Sequence, residues 1–300
     1  MTGQIKKKPT VSLVLGSGGA RGLAHIGVIE VLEAAGFQIE SISGSSMGAL
    51  VGGVYASGEL EGYRNWVCAL EPFDMLRLLD VSFSGSAIFK GERIIEALKE
   101  LIGDRDIEDL PIAFTAVATE LERGKELWFS KGPLFDAIRA SIAFPTVFSP
   151  VEYRGRKLVD GGLMNPIPIA PTMHDFTDLT IAVSLSGRRR GGVSTQAASA
   201  PEPSSRNKYH QIIAEFIDNL QKKNHHKEDD AGFFEIISSS IDVMQNNIAR
   251  FMLAAYSPDI LIEIPKDCCT IYEFDKAPEL IEIGRQHAEK AVQEYRQRQR

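Results

Sequence analysis

A chain of 300 residues can bury one substantial core, and 44% hydrophobic with 24% charged residues fits a soluble globular protein. A formal net charge of −7 argues against a nucleic-acid partner, which requires a basic face. No apolar run reaches the ~20 residues of a membrane span, and Met1–Lys8 lacks the apolar stretch of a signal peptide. The cysteines are Cys68 and the adjacent Cys268 and Cys269, an odd, vicinal set that points to reduced thiols in a cytoplasmic setting rather than a disulfide framework.

The first element is a β-branched apolar run, Thr10–Leu15, of buried-strand type. Gly16-Ser-Gly-Gly-Ala-Arg-Gly22 follows, then a helical pattern over Leu23–Ala35 that stops at Gly36. A glycine loop between strand and helix gathers backbone N–H groups into an anion-binding nest. The anion is either a phosphate or the oxyanion of an acyl-transfer intermediate. A dinucleotide fingerprint is the rival reading, with Gly16, Gly18 and Glu40 in suitable places. Arg21 stands where its third glycine should be, and a bulky residue there hinders close helix–strand packing.

A second short strand, Ile39–Ser43, leads into Gly44-Ser45-Ser46-Met47-Gly48 and a small-residue helix over 47–57. This is Gly-x-Ser-x-Gly at a strand-to-helix turn. It presents the Ser46 hydroxyl on a tight bend, with Gly44 and Gly48 relieving the crowding and a helix N-terminus behind it. Further helices are expected near 61–70, 91–102 and 133–141, and strands near 112–118 and 126–130. Between the first two helices, 71–90 mixes Phe73, Met75, Leu76, Leu78, Leu79, Phe83, Ile88 and Phe89 with glycine and serine. It reads either as core or as an apolar lip for acyl chains. Val151–Val159 is a hairpin turning at Arg154-Gly155, ending in Asp160-Gly161-Gly162. Alone, that motif fits an Asx turn; beside the two glycine motifs it supplies a proton acceptor.

Strands near 158–160, 179–185 and 259–264 complete a strand–helix alternation. It implies a three-layer α/β/α fold with a central, mostly parallel sheet. The alternation breaks at Gly187-Arg-Arg-Arg-Gly-Gly192 and the Ser/Thr/Ala/Pro run behind it, which has little to bury. Residues 187–230 are therefore expected to be a flexible insertion, a lid, partner site or linker, carrying an amphipathic helix near 210–223. A long helix near 232–256 follows. The domain reading is a tail at 1–9, one α/β domain over 10–292 interrupted by that insertion, and a polar tail at 293–300.

The ordered set of Gly-rich loop with arginine, Gly-x-Ser-x-Gly and Asp-Gly-Gly resembles the patatin-like phospholipases. Leu79–Glu92, Ala137–Pro150 and Tyr272–Gly284 are similar to the bacterial branch of that family. The resemblance covers about residues 10–186 and 233–292. It implies a patatin-like fold and a Ser–Asp dyad: Ser46 as nucleophile, Asp160 as base, Gly18 and Gly19 as oxyanion donors. Gly16, Arg21 and Gly22 support that loop, and Gly161 and Gly162 follow the base. The implied activity is that of a serine esterase cleaving acyl esters of phospholipids or lysophospholipids without cofactor or metal, from the cytoplasm or peripherally at the inner membrane face. The alternative is a non-catalytic lipid- or protein-binding protein on the same fold. A Ser–Asp–His triad would need a histidine after Asp160, with His174 the nearest candidate. His25, one helical turn beyond Arg21, reads as packing or hydrogen-bonding near the loop.

Overall fold

The computed structural model describes residues 8–71, 78, 80, 87–188 and 228–300. Most of the 71–90 segment, the expected linker from 189 to 209 and the helix expected near 210–223 lie outside the described residues, while Gly187 closes a strand. The chain divides into two compact units, Met1–Arg190 with Met244–Arg300, and Gly191–Val243. Of the second, residues 228–243 are described, and they are helical.

The first unit is built around an eight-stranded sheet. Its strands are β1 (Thr10–Leu15), β2 (Gln38–Ser45), β4 (Ala113–Glu120), β5 (Lys125–Phe129), β7 (Val151–Tyr153), β8 (Arg156–Asp160), β9 (Leu179–Gly187) and β10 (Ile260–Pro265). The order is β10-β9-β1-β2-β4-β8-β7, with β5 paired to β4. From β10 to β4 every pairing is parallel, and β5 and β8 run antiparallel to β4. A separate pair joins β3 (Ala87–Phe89) to β6 (Thr146–Phe148). Three-residue strands carry no alternation pattern, so the sequence did not reveal them.

The parallel strands are apolar because both faces are covered. Val11, Leu13 and Leu15 of β1 and Ile181, Val183 and Leu185 of β9 face one layer. That layer holds helices α1 (Ala24–Ala34), α2 (Met47–Ala56), α3 (Leu60–Ala69), α4 (Glu92–Ile102), α5 (Leu134–Ser141) and α7 (Ala277–Arg298). Val14 and Ala182, between them in the chain, face the other way onto Ile167, Ile169 and Ala249. Ala249 belongs to α6 (Glu228–Tyr256). The result is the three-layer α/β/α sandwich that the strand–helix alternation implies. The last helix runs on to Arg298, and Tyr295 packs its ring against Phe37 at 6.4 Å.

Candidate active site

Three chain crossings meet at the end of β2. The Gly16–Gly22 loop follows β1, and β1 pairs with β2 up to Leu15 opposite Gly44. The loop therefore opens beside the turn at Ser46. On the other side, β4 pairs Val117 with Ser45 and then changes partner, so that Ala118 lies opposite Asp160 of β8. Two successive residues of β4 thus set Ser45 and Asp160 next to each other. The register brings Ser46 and Asp160 together across 114 positions of chain.

Ser46 sits at φ 55°, ψ −125°, a left-handed conformation that a serine adopts only where the surroundings enforce it. Gly44 and Gly48 make the bend possible: a Cβ on Gly44 would fall 2.4 Å from the Gly48 carbonyl, and one on Gly48 would fall 2.0 Å from the Leu15 carbonyl. The Ser46 N–H donates to Ser141 Oγ at 2.9 Å, and Ser141 Oγ–H donates to the Val117 carbonyl at 2.6 Å. Ser141 lies at the end of α5 and ties the turn to β4. No local pattern marks this role, because a serine closing a helix is ordinary and its partner stands 95 positions away.

Asp160 is fully buried. Its Oδ1 accepts the Gly162 N–H at 2.7 Å, the Asx geometry foreseen for Asp-Gly-Gly. Its Oδ2 has no partner at full hydrogen-bond geometry. The Ser46 hydroxyl is nonetheless near enough to act on the carboxyl as a donor. Unlike the Gly162 bond, this contact falls short of full hydrogen-bond geometry. Burial pushes the Asp160 pKa up to about 7, against the opposing pull of the Ser46 hydroxyl and the Gly162 N–H.

The glycine loop is fixed from behind. The Gly16 N–H donates to the Val183 carbonyl, Ser17 N–H to Pro166 and Ala20 N–H to Ile271, at 3.0, 2.8 and 3.0 Å. Buried Arg21 donates from Nε to the Gly18 carbonyl at 3.2 Å and from Nη1 to Leu185 at 3.1 Å. The backbone N–H groups of Gly18 and Gly19 donate to nothing among the described residues. His25 donates from Nε2 to the Gly16 carbonyl at 2.9 Å. Full burial lowers its pKa to about 4, so it is a neutral strut at ordinary pH.

The rival arrangements are not assembled. Glu40 is exposed near the start of β2, the opposite end from the glycine loop. His174 is exposed in the loop before β9, whose neighbours Asp175 and Asp178 bond Ser12 and Thr10 at the start of β1. That is the far end of the sheet from Ser46. No cluster of three or more metal-ligating side chains occurs among the described residues, and no described helix is long and apolar enough to cross a membrane.

Residues 13–173 match the family model described as patatin-like phospholipase. The chain belongs to the patatin-like phospholipase family. It is 39% identical to an uncharacterized NTE family protein of Mycobacterium tuberculosis, over 96% of this chain and 92% of the relative. A lysophospholipase of Emericella nidulans is 30% identical across 58% of this chain and 12% of its own length. Among solved structures, VipD from Legionella pneumophila superposes with a TM-score of 0.57 at 13% identity, covering 96% of this chain and 67% of that one. This last likeness is one of fold. The expected family and the three-layer fold are thereby borne out.

Proposed function

We propose that the chain is a serine esterase that removes acyl groups from phospholipids or lysophospholipids. Ser46 is the nucleophile, Asp160 the base, and the free Gly18 and Gly19 amides the oxyanion hole. The observation that carries the reading is the β4 register, which sets the Ser46 hydroxyl beside a buried carboxyl with a raised pKa. A carboxylate of ordinary pKa is a weak base for a serine. One near 7 is better matched to proton transfer at neutral pH.

In the first step Ser46 Oγ bonds to the ester carbonyl carbon while its proton passes to Asp160. The carbonyl oxygen becomes an oxyanion held by the two amides and by the positive end of α2. Collapse breaks the ester bond, and the departing alkoxide takes the proton from Asp160. Water then repeats the sequence on the acyl-Ser46 ester, releasing the fatty acid and returning the proton to Ser46. Membership of the family and the similarity to a fungal lysophospholipase support a lipid ester as substrate. Drawing it from a bilayer or micelle implies peripheral membrane contact.

Incubation with a mixed lipid extract, followed by mass analysis of species that lose an acyl chain, identifies the substrate. Ser46→Ala is expected to lower turnover of a medium-chain aryl ester by about a thousandfold or more, with an unchanged circular dichroism spectrum. Full turnover in that variant overturns the assignment. A fluorophosphonate adduct on Ser46 is expected as well, and its absence would favour the lipid-holding alternative.

A further inference from the structure

A buried amide nitrogen has no hydrogen-bond partner beside the candidate site. Gln245 lies on the inward side of α6, only 8% exposed, and its Nε2 has no hydrogen-bond partner. A Cβ on Gly162 would fall 2.8 Å from this Nε2 and 2.4 Å from Ser17 Oγ. The two side chains therefore press on the same face of the same α-carbon, no more than about two hydrogen-bond lengths apart. The absent side chain at Gly162 leaves room for both.

Nε2 can donate what the half-buried Ser17 Oγ can accept. Nε2 is a donor without an acceptor, and Ser17 Oγ makes no hydrogen bond among the described residues. A buried donor left unpaired is costly and uncommon in folded proteins, and it calls for a specific reason. Ser17 is the second residue of the glycine loop, immediately before Gly18 and Gly19. Gly162 belongs to the turn that binds Asp160 Oδ1. Gln245 is thus wedged where the oxyanion loop meets the turn of the base.

We propose that Gln245 is a positioning residue for the oxyanion loop. When substrate occupies the site, its Nε2–H donates to Ser17 Oγ and holds the Gly18 and Gly19 amides in register with the Asp160–Gly162 turn. A bond made as the oxyanion forms lowers the barrier instead of only tightening binding. The inference rests on the Ser46–Asp160 reading above.

Gln245→Met separates this role from packing, because methionine fills a similar volume without a donor. The expected result is kcat lower by about tenfold with KM unchanged. The melting temperature should rise by about 2–4 °C, since an unpaired buried polar group is gone. Wild-type kcat in this variant overturns the inference. Ser17→Ala, at a half-buried position, is expected to lower kcat to the same extent, and wild-type kcat there overturns the inference independently. The double variant should be no slower than either single one, whereas multiplied losses would mean that the two side chains act apart. Ser46→Ala run alongside keeps the two readings distinct. Turnover surviving in Ser46→Ala sinks the nucleophile; loss there beside wild-type kcat in Gln245→Met sinks only the role of Gln245.

Discussion

Asp160 carries the strongest conflict between stability and chemistry in the molecule. Its carboxyl has no solvent contact, and burial raises its pKa from 3.8 to about 7. Between those values the folded protein binds a proton that the unfolded chain has released. Stability therefore falls as pH rises from about 4 to about 7 and is flat above, a loss of roughly 4 kcal/mol at most. Activity runs the opposite way, because the base must be ionised. kcat/KM is expected to drop about tenfold per pH unit below about 7. Asp160→Asn keeps the shape and the Gly162 bond but removes the charge. It should melt higher than the parent at pH 8, match it more closely at pH 5, and show no esterase activity at either. Melting curves at the two pH values, read beside aryl-ester turnover, check this; a lower melting point at pH 8 would mean that Asp160 is held ionised by groups other than Ser46 and Gly162. Motif order alone marked Ser46, Asp160 and the glycines. It could not mark Ser141 or Gln245, whose meaning comes from what they touch rather than from their neighbours in the chain.

At the level of elements, β4 is the organiser. Its Val117 carbonyl accepts from Ser141, and Ser141 accepts from the Ser46 N–H. One buried hydroxyl therefore spans the helix α5, the strand β4 and the turn before α2. Ser141→Ala would leave a buried N–H and a buried carbonyl unpaired together, at a cost of about 1–3 kcal/mol for each group that water cannot reach. The Ser46 turn is also held at a positive φ, and loosening its anchor should let it relax. The expected outcome is a lower denaturation midpoint with unchanged m-value, joined to a kcat decrease that exceeds any change in KM. Ser141→Thr, which keeps the hydroxyl, should recover part of both. Equal kcat in Ser141→Ala and the parent would show that the turn keeps its shape without the anchor. The alternation of apolar runs with helical patterns made most of these elements legible in the sequence. The change of partner at Val117–Ala118, which creates the site, was not legible. It depends on β8 reaching β4 antiparallel after a hairpin, and no local pattern encodes which strand a hairpin will join.

For the whole molecule, the decisive contact joins the two ends of the chain. α1 and α7 cross with backbone against backbone: a Cβ on Gly27 would fall 2.0 Å from the Ile281 carbonyl, and one on Gly284 would fall 2.0 Å from the Ala24 carbonyl. Each helix uses a glycine to admit the other, and neither backbone can yield without unwinding. Polar contacts decorate this crossing. Arg285 Nη2 lies 2.6 Å from Glu30 Oε2, and Arg64 Nη1 lies 3.0 Å from Glu30 Oε1. These pairs are part-exposed and contribute about 1 kcal/mol or less each, so packing rather than charge sets the crossing. The crossing also bears on the site, because the segment before α7 supplies the Ile271 carbonyl that holds the Ala20 N–H of the glycine loop. Gly284→Ala would gain helix propensity of about 1 kcal/mol, yet it should destabilise by about 1–3 kcal/mol or more through overpacking. The sign of the change is thus diagnostic. A melting temperature lowered by several degrees in Gly284→Ala, against a shift near zero in Glu30→Gln, is the expected pattern. A Gly284→Ala protein that melts above its parent would mean that the helices stand farther apart than these distances say, and that the glycine loop is braced by something other than the last helix.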